Sequence, residues 1–183
     1  MYNVLLVLTK NTFKEIRMCA LNISNMIECI VEKNFDSRKN LKLLKTYMET
    51  SDCKYCIFFE ITKKTQKLWL TDQIQSYKFN ITNCQSIYSL STIENFHKRS
   101  GYITIFSEGF NAAIKQILSE IFNSTVTKKE RAIVFYEIGS KIYIAHFNLE
   151  TKNEIGPRLT LELEKIFDNC FSGNVTNVKY NKK

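Results

Sequence analysis

The stretch YCIFFEITKKTQKLWL, residues 55–70, carries the pattern on which the fold turns. Tyr55–Ile61 is apolar except at Glu60 and reads as a buried strand. Thr62–Gln66 is polar and turns the chain, and Lys67–Leu70 returns as a hairpin partner. Upstream, Val4–Leu8 is a second buried apolar run, and the polar Thr9–Thr12 turns out of it. From Phe13 the period becomes helical: Phe13, Ile16, Ala20, Ile23, Ile27 and Ile30 fall on one face. Asn34–Asn40 reads as a polar, basic loop and Leu41–Met48 as a short second helix. Downstream, Tyr77, Phe79 and Ile81 alternate with polar residues, which marks another strand.

The order then starts again. Tyr102–Phe106 reads as a buried strand, Gly109 as a turn, and Ile114, Ile117, Leu118, Ile121 and Phe122 as a helical stripe. Asn123–Glu130 is a polar loop. Ala132–Glu137 and Lys141–Asn148 flank a Gly139-Ser140 turn as a second hairpin. Leu159, Leu161 and Leu163 alternate with Thr160, Glu162 and Glu164, so the polar set is assigned to the solvent face of a strand. Val175 and Val178 suggest a last short strand. Each half thus reads strand, helix, strand, hairpin strand, strand, a repeat of pattern rather than of residues. The expectation is an α/β protein of two similar units, each a mixed sheet covered by helices. The first half is placed at about residues 1–85 and the second at about 101–183. Between them lies a polar connection over about 86–100, with a short helix at Thr92–His97.

With 183 residues, 44% hydrophobic and 13% aromatic, the chain is long and apolar enough for a real core. Twenty-six Lys and Arg against 18 Asp and Glu give a net charge of +8, which suits a polyanionic partner, nucleic acid or an anionic membrane surface. Val4–Leu8 is too short for a secretory h-region and no run approaches a membrane span, so an intracellular protein is expected, without membrane partners. The sequons at Asn22, Asn80, Asn123 and Asn174 are then accidental.

Catalytic patterns are scarce. Neither a GxxxxGK[ST] phosphate loop nor GxGxxG, GxSxG or HExxH occurs. His97 and His146 lie far apart, and His146 sits among apolar residues as a structural histidine would. Cys53-Lys-Tyr-Cys56 has CxxC spacing, but it lacks the second pair that a zinc site needs. It also runs straight into a strand, where no helix dipole would activate a thiol. It reads as two incidental thiols; no metal, no cofactor and no enzymatic activity is expected. The cations are more informative. Lys10, Lys14 and Arg17 lie at the first loop and helix start; Lys33, Arg38, Lys39, Lys42 and Lys45 form a cluster; Lys98-Arg99 lies in the connection, and Lys179, Lys182 and Lys183 close the chain. Cations on loops and helix starts are good seats for phosphate, and such a set fits recognition of folded RNA through its backbone. Single-strand reader motifs of the RNP or GXXG kind do not occur.

Glu154-Ile155-Gly156-Pro157-Arg158, followed by Leu159, Leu161 and Leu163, resembles the EIGPR signature of the Brix family of ribosome-assembly proteins. Phe58-Phe59-Glu60 with Lys67-Leu68-Trp69-Leu70, the loop Phe35–Leu41, the segment Val4–Arg17 and the turn Phe171-Ser172-Gly173 look like family segments in the same order. Within Val4–Arg17, Lys10, Thr12 and Arg17 stand at matching places. The resemblance implies two pseudo-symmetric anticodon-binding-like halves and a nucleolar factor in assembly of the large (60S) subunit. Its implied partners are precursor large-subunit rRNA, a dedicated assembly-factor protein, largely helical or extended, and other pre-60S proteins. The chain departs from the pattern at Phe13 and Glu15, in a short segment Glu150–Asn153 before the signature, and in lacking a long basic tail, which suggests a reduced version. In the signature, Pro157 suits a strand start and Gly156 an unusual backbone conformation. Arg158 is then fixed in place to pair with a phosphate or with a bracing carboxylate. Two alternatives stay open: a protein-interaction module whose charge only solubilises it, and a family member acting on the small-subunit precursor.

Overall fold

The computed structural model of the protein describes residues 3–36, 41–90 and 101–178. In chain order the elements are β1 (Val4–Thr9), α1 (Lys14–Ser24), β2 (Cys29–Phe35), α2 (Lys42–Thr50), β3 (Tyr55–Ile61), β4 (Gln66–Thr71) and β5 (Ser76–Gln85). A 3-10 turn follows at Ile87–Ser89, then β6 (Gly101–Phe106), α3 (Ala112–Ile121), β7 (Lys129–Ile138), β8 (Lys141–Asn148), β9 (Arg158–Asn169) and β10 (Ser172–Asn177). The helix expected at Thr92–His97 lies outside the described residues.

Packing divides the chain into two units. One holds Met1–Phe13, Glu28–Ile81 and Leu161–Lys183; the other holds Lys14–Ile27 and Thr82–Thr160. The division differs from the contiguous halves that periodicity suggests, because α1 groups with the later strands while most of β9 and all of β10 group with the earlier ones.

The first unit is a mixed sheet in the order β2-β1-β3-β4-β5-β9, with β10 paired to β9. β1 runs parallel to both β2 and β3, and the β3-β4-β5 meander is antiparallel. All six residues of β1 are buried, as a central parallel strand demands. α2 contributes Leu44 and Met48 to a core with Leu5, Val7, Phe58 and Trp69. The Phe-Phe-Glu and Leu-Trp segments meet here. Trp69 Nε1 donates to Glu60 Oε2 at 2.8 Å, and Lys78 Nζ sits 3.0 Å from the same oxygen and 4.5 Å from the Trp69 ring centre. Phe171, at φ 52, lays its ring 5.7 Å from Trp69.

The second unit orders its strands β8-β7-β6, with β6 parallel to β7 and β7–β8 a hairpin. Asn111 caps α3, its side chain accepting from the Ala113 and Ile114 amides at 3.1 Å. The helix buries Ile114, Ile117, Leu118 and Ile121, the expected stripe. Both units are α/β with a mixed sheet, as expected. In each, a helix leads into a strand parallel to an earlier one, and an antiparallel hairpin follows.

Two assignments are corrected. The helical stripe does not reach Ile30: α1 ends at Ser24 and Cys29–Phe35 is a strand. This strand edges the sheet order, and its first six residues are only half-buried or exposed. Its sequence therefore lacks the apolar run or clean alternation of a core strand. Thr160, which strand alternation places on the solvent face, is instead buried, 7% exposed, and its carbonyl accepts from Thr82 Oγ1 at 3.2 Å.

Candidate functional site

The parallel strands β2, β1 and β3 end together, and a cavity of about 520 Å³ opens at their carboxyl ends. Its walls come from the residues just past each strand: Lys10, Asn11 and Phe13 after β1, Asp36 after β2, Thr62 and Lys63 after β3. The three strand ends are tied together. Thr9 Oγ1 lies 3.0 Å from the Ile61 carbonyl and accepts from the Ile61 amide at 3.1 Å. The Lys10 amide donates to the Phe35 carbonyl at 3.1 Å. Thr62 Oγ1 accepts from the amides of Lys64 and Thr65 at 3.2 and 3.0 Å, which fixes the turn carrying Lys63. Strand order 2-1-3 makes this a topological switch point, since the chain leaves β1 for one neighbour and returns on its other side. In open α/β sheets ligands bind at such crevices.

The expected RNA-binding residues fare unevenly. Lys10 is exposed and lines the cavity. Lys33 is exposed on β2 rather than in a loop, and Lys42 is exposed in the first turn of α2. Arg17 is half-buried on α1, in the other unit. Thr12 is not available for a ligand: it is 8% exposed, and its hydroxyl donates to the Thr9 carbonyl at 2.8 Å. Arg38, Lys39, Lys98, Arg99 and Lys179 lie outside the described residues. Lys63 was missed. The one signal for it is its place in the polar turn between two apolar strands.

The signature is a structural knot. Arg158 grips Glu154 with two hydrogen bonds, Nε to Oε1 at 2.8 Å and the second from Nη2 to Oε2, and Nη1 donates to Gln85 Oε1 at 3.2 Å. Glu154 is thus the carboxylate that Arg158 meets; it lies four residues away in the same unit, and the arginine side chain stays 41% exposed. Ile155 and Pro157 are buried, and the Gly156–Pro157 peptide is cis. Gly156 has φ +75, and a Cβ there would meet Leu90 Cδ1 at 2.6 Å and Ile87 Cα at 3.3 Å. His146 holds the same segment. Its ring Nδ1 lies 2.6 Å from the Gly156 carbonyl, and its own carbonyl accepts from the amides of Ile155 and Gly156. Burial, opposed by the Gly156 bond and helped by Arg131, pushes its pKa down to about 4. It is a neutral structural histidine, as expected.

None of the six cysteines, all among the described residues, is in a disulfide. Burial raises the pKa of the Cys53 and Cys56 thiols, and among the described residues no three or more His, Cys, Asp or Glu side chains converge as metal ligands. No described helix is long and apolar enough to cross a membrane.

The second unit carries an exposed apolar face. In the register of the second unit's sheet, Tyr136 faces Tyr143 and Ile105 faces Val134. Alternation along β6 and β7 therefore sets Ile103, Ile105, Tyr136, Ile138 and Tyr143 on one face, all exposed. Their apolar character is legible; their exposure is not, because alternation alone does not say which face is covered.

No family model matches the sequence. The fold does have a counterpart. A probable ribosomal biogenesis protein from Aeropyrum pernix K1 superimposes with a TM-score of 0.55, covering 98% of this chain and 100% of that one, at 9% identity. The two chains therefore share a fold over their whole length. The sequence narrows it further. The chain is 27% identical over 166 residues to the ribosome biogenesis protein BRX1 homolog of Dictyostelium discoideum, covering 79% of this chain and 51% of that protein. It is 25% identical over 183 residues to the human BRX1 homolog, covering 90% and 50%. The chain is thus similar to ribosome biogenesis proteins named BRX1 homolog, and it spans about half the length of these relatives.

Proposed function

We propose that this protein is a ribosome biogenesis factor that binds precursor rRNA of the large subunit and works with a protein partner, as a scaffold without turnover, in the nucleolus. Similarity to BRX1 homologs along most of the chain carries the reading. The net charge of +8 supports it, as do the exposed lysines of the first unit, Lys10, Lys33, Lys42 and Lys63. The test is anisotropy binding to a structured precursor rRNA fragment across a salt series. Each phosphate neutralised contributes about −0.9 to the slope of log K against log salt, so a slope of about −3 or steeper is expected. Negligible affinity, or affinity independent of salt, would remove RNA binding from the account. One observation favours a second reading, a protein-interaction module. The exposed apolar face of Ile103, Ile105, Tyr136, Ile138 and Tyr143 is the kind of patch that marks protein contacts. That reading predicts partner binding with no RNA affinity.

A further inference from the structure

A flat cationic surface suffices to hold an RNA backbone, yet the first unit has a concavity at its strand ends. Its volume of about 520 Å³ falls within the roughly 300–1,000 Å³ typical of sites that enclose a small ligand. Three kinds of group line it. Lys10 and Lys63 are exposed cations suited to a phosphate. Asn11 and Asn34 carry side-chain amides, each both donor and acceptor, which can pair with the edge of a base. Phe13 leaves its ring 47% exposed beside those cations. A large apolar ring in water gains most from stacking, and unpaired bases stack on such rings. The carboxylate of Asp36 in the same lining disfavours a second phosphate, so the site suits a single phosphate joined to a base better than a polyphosphate. The ties among Thr9, Ile61, Lys10 and Phe35 hold the floor in place before any ligand arrives.

The geometry points to a pocket for one unpaired nucleotide of an RNA strand, its base stacked on Phe13 and its phosphate held by Lys10 and Lys63. This inference rests on the RNA-binding reading above and adds a site that reads strand structure rather than charge alone. An extruded base lacks its pairing partner, so the amides of Asn11 and Asn34 can reach its edge. A paired base has its Watson–Crick edge occupied and its faces stacked, so neither that edge nor the ring face is open to the pocket.

The test uses the full chain and two RNA hairpins of one composition. In one hairpin a single 2-aminopurine nucleotide is bulged; in the other it is paired. The bulged hairpin should bind at least tenfold tighter, and its 2-aminopurine emission should change on binding. Phe13→Ala should remove most of the preference and the emission change, leave binding of the paired hairpin unaltered, and be rescued by Phe13→Trp. Lys63→Ala should weaken the bulged complex more than the paired one. Equal affinity for the two hairpins, with unchanged emission, would overturn the pocket and leave the RNA-binding reading standing. Binding of neither hairpin would overturn both. Free adenosine monophosphate competing as strongly as the bulged RNA, with the same dependence on Phe13, would make the cavity a small-molecule site and also overturn the inference.

Discussion

Replacing Gly156 by alanine should cost about 2–5 kcal/mol of unfolding free energy, whereas replacing Gly139 should cost only about 1–2. The two positions share a left-handed backbone, φ +75 and φ +58, which costs an L residue about 1–2 kcal/mol. They differ in what a new methyl would meet. At Gly139 nothing lies within 4 Å. At Gly156 the new Cβ falls 2.6 Å from Leu90 Cδ1 and 3.3 Å from Ile87 Cα. The leucine methyl ends a flexible side chain and can turn away. The Ile87 backbone cannot, and overpacking of this kind adds about 1–3 kcal/mol. Urea unfolding of the two single variants beside the parent chain measures both costs, and their difference isolates the packing contribution. If the two variants lie within about 0.5 kcal/mol of each other, the claim that the signature glycine is required by close approach fails.

Arg158→Ala should lower stability by about 1 kcal/mol, since it strips Glu154 of a partly exposed partner, while leaving the salt slope of RNA binding unchanged. A flattened slope would return Arg158 to the RNA surface. The triple change Lys10→Ala, Lys33→Ala and Lys42→Ala should flatten that slope by about 2–3, and an unaltered slope would show that these lysines do not meet phosphate. His146 has a folded pKa of about 4, below its ordinary 6.5, so the unfolded chain takes up the proton first. Its contribution is complete above pH 6.5 and is lost as pH falls towards 4, roughly 3 kcal/mol in all. Urea midpoints should fall over that window, and His146→Gln should remove this part of the dependence. Zinc added under reducing conditions should leave the thermal midpoint unchanged, because Cys53 and Cys56 are both fully buried; a clear rise would revive the CxxC as a metal site.

The sequence made the strands of the two hairpins legible because their apolar runs and Gly139-Ser140 are local signals. β2 was not legible. As an edge strand it needs no apolar run, and Ile27 and Ile30 extend the helical period of α1 into it by coincidence. The grouping of α1 with the later strands could not be read either, since nothing local records which segments pack together. At the candidate site, Lys10 was found by charge and position. Lys63 was overlooked because one lysine in a hairpin turn looks like any solvated residue, and only the folded sheet brings the ends of β1, β2 and β3 together. Thr12 and Arg158 show what charge and position leave out: each has polar groups suited to RNA, but the buried Thr12 hydroxyl closes a turn and the Arg158 guanidinium pairs with Glu154.

Large-subunit rRNA binding is tested by purification of the protein from its own cells, with the co-purifying RNA sequenced and the proteins identified. Precursor large-subunit rRNA should be enriched together with other assembly factors. Recovery of protein partners without rRNA, or of small-subunit precursors in its place, would contradict such binding.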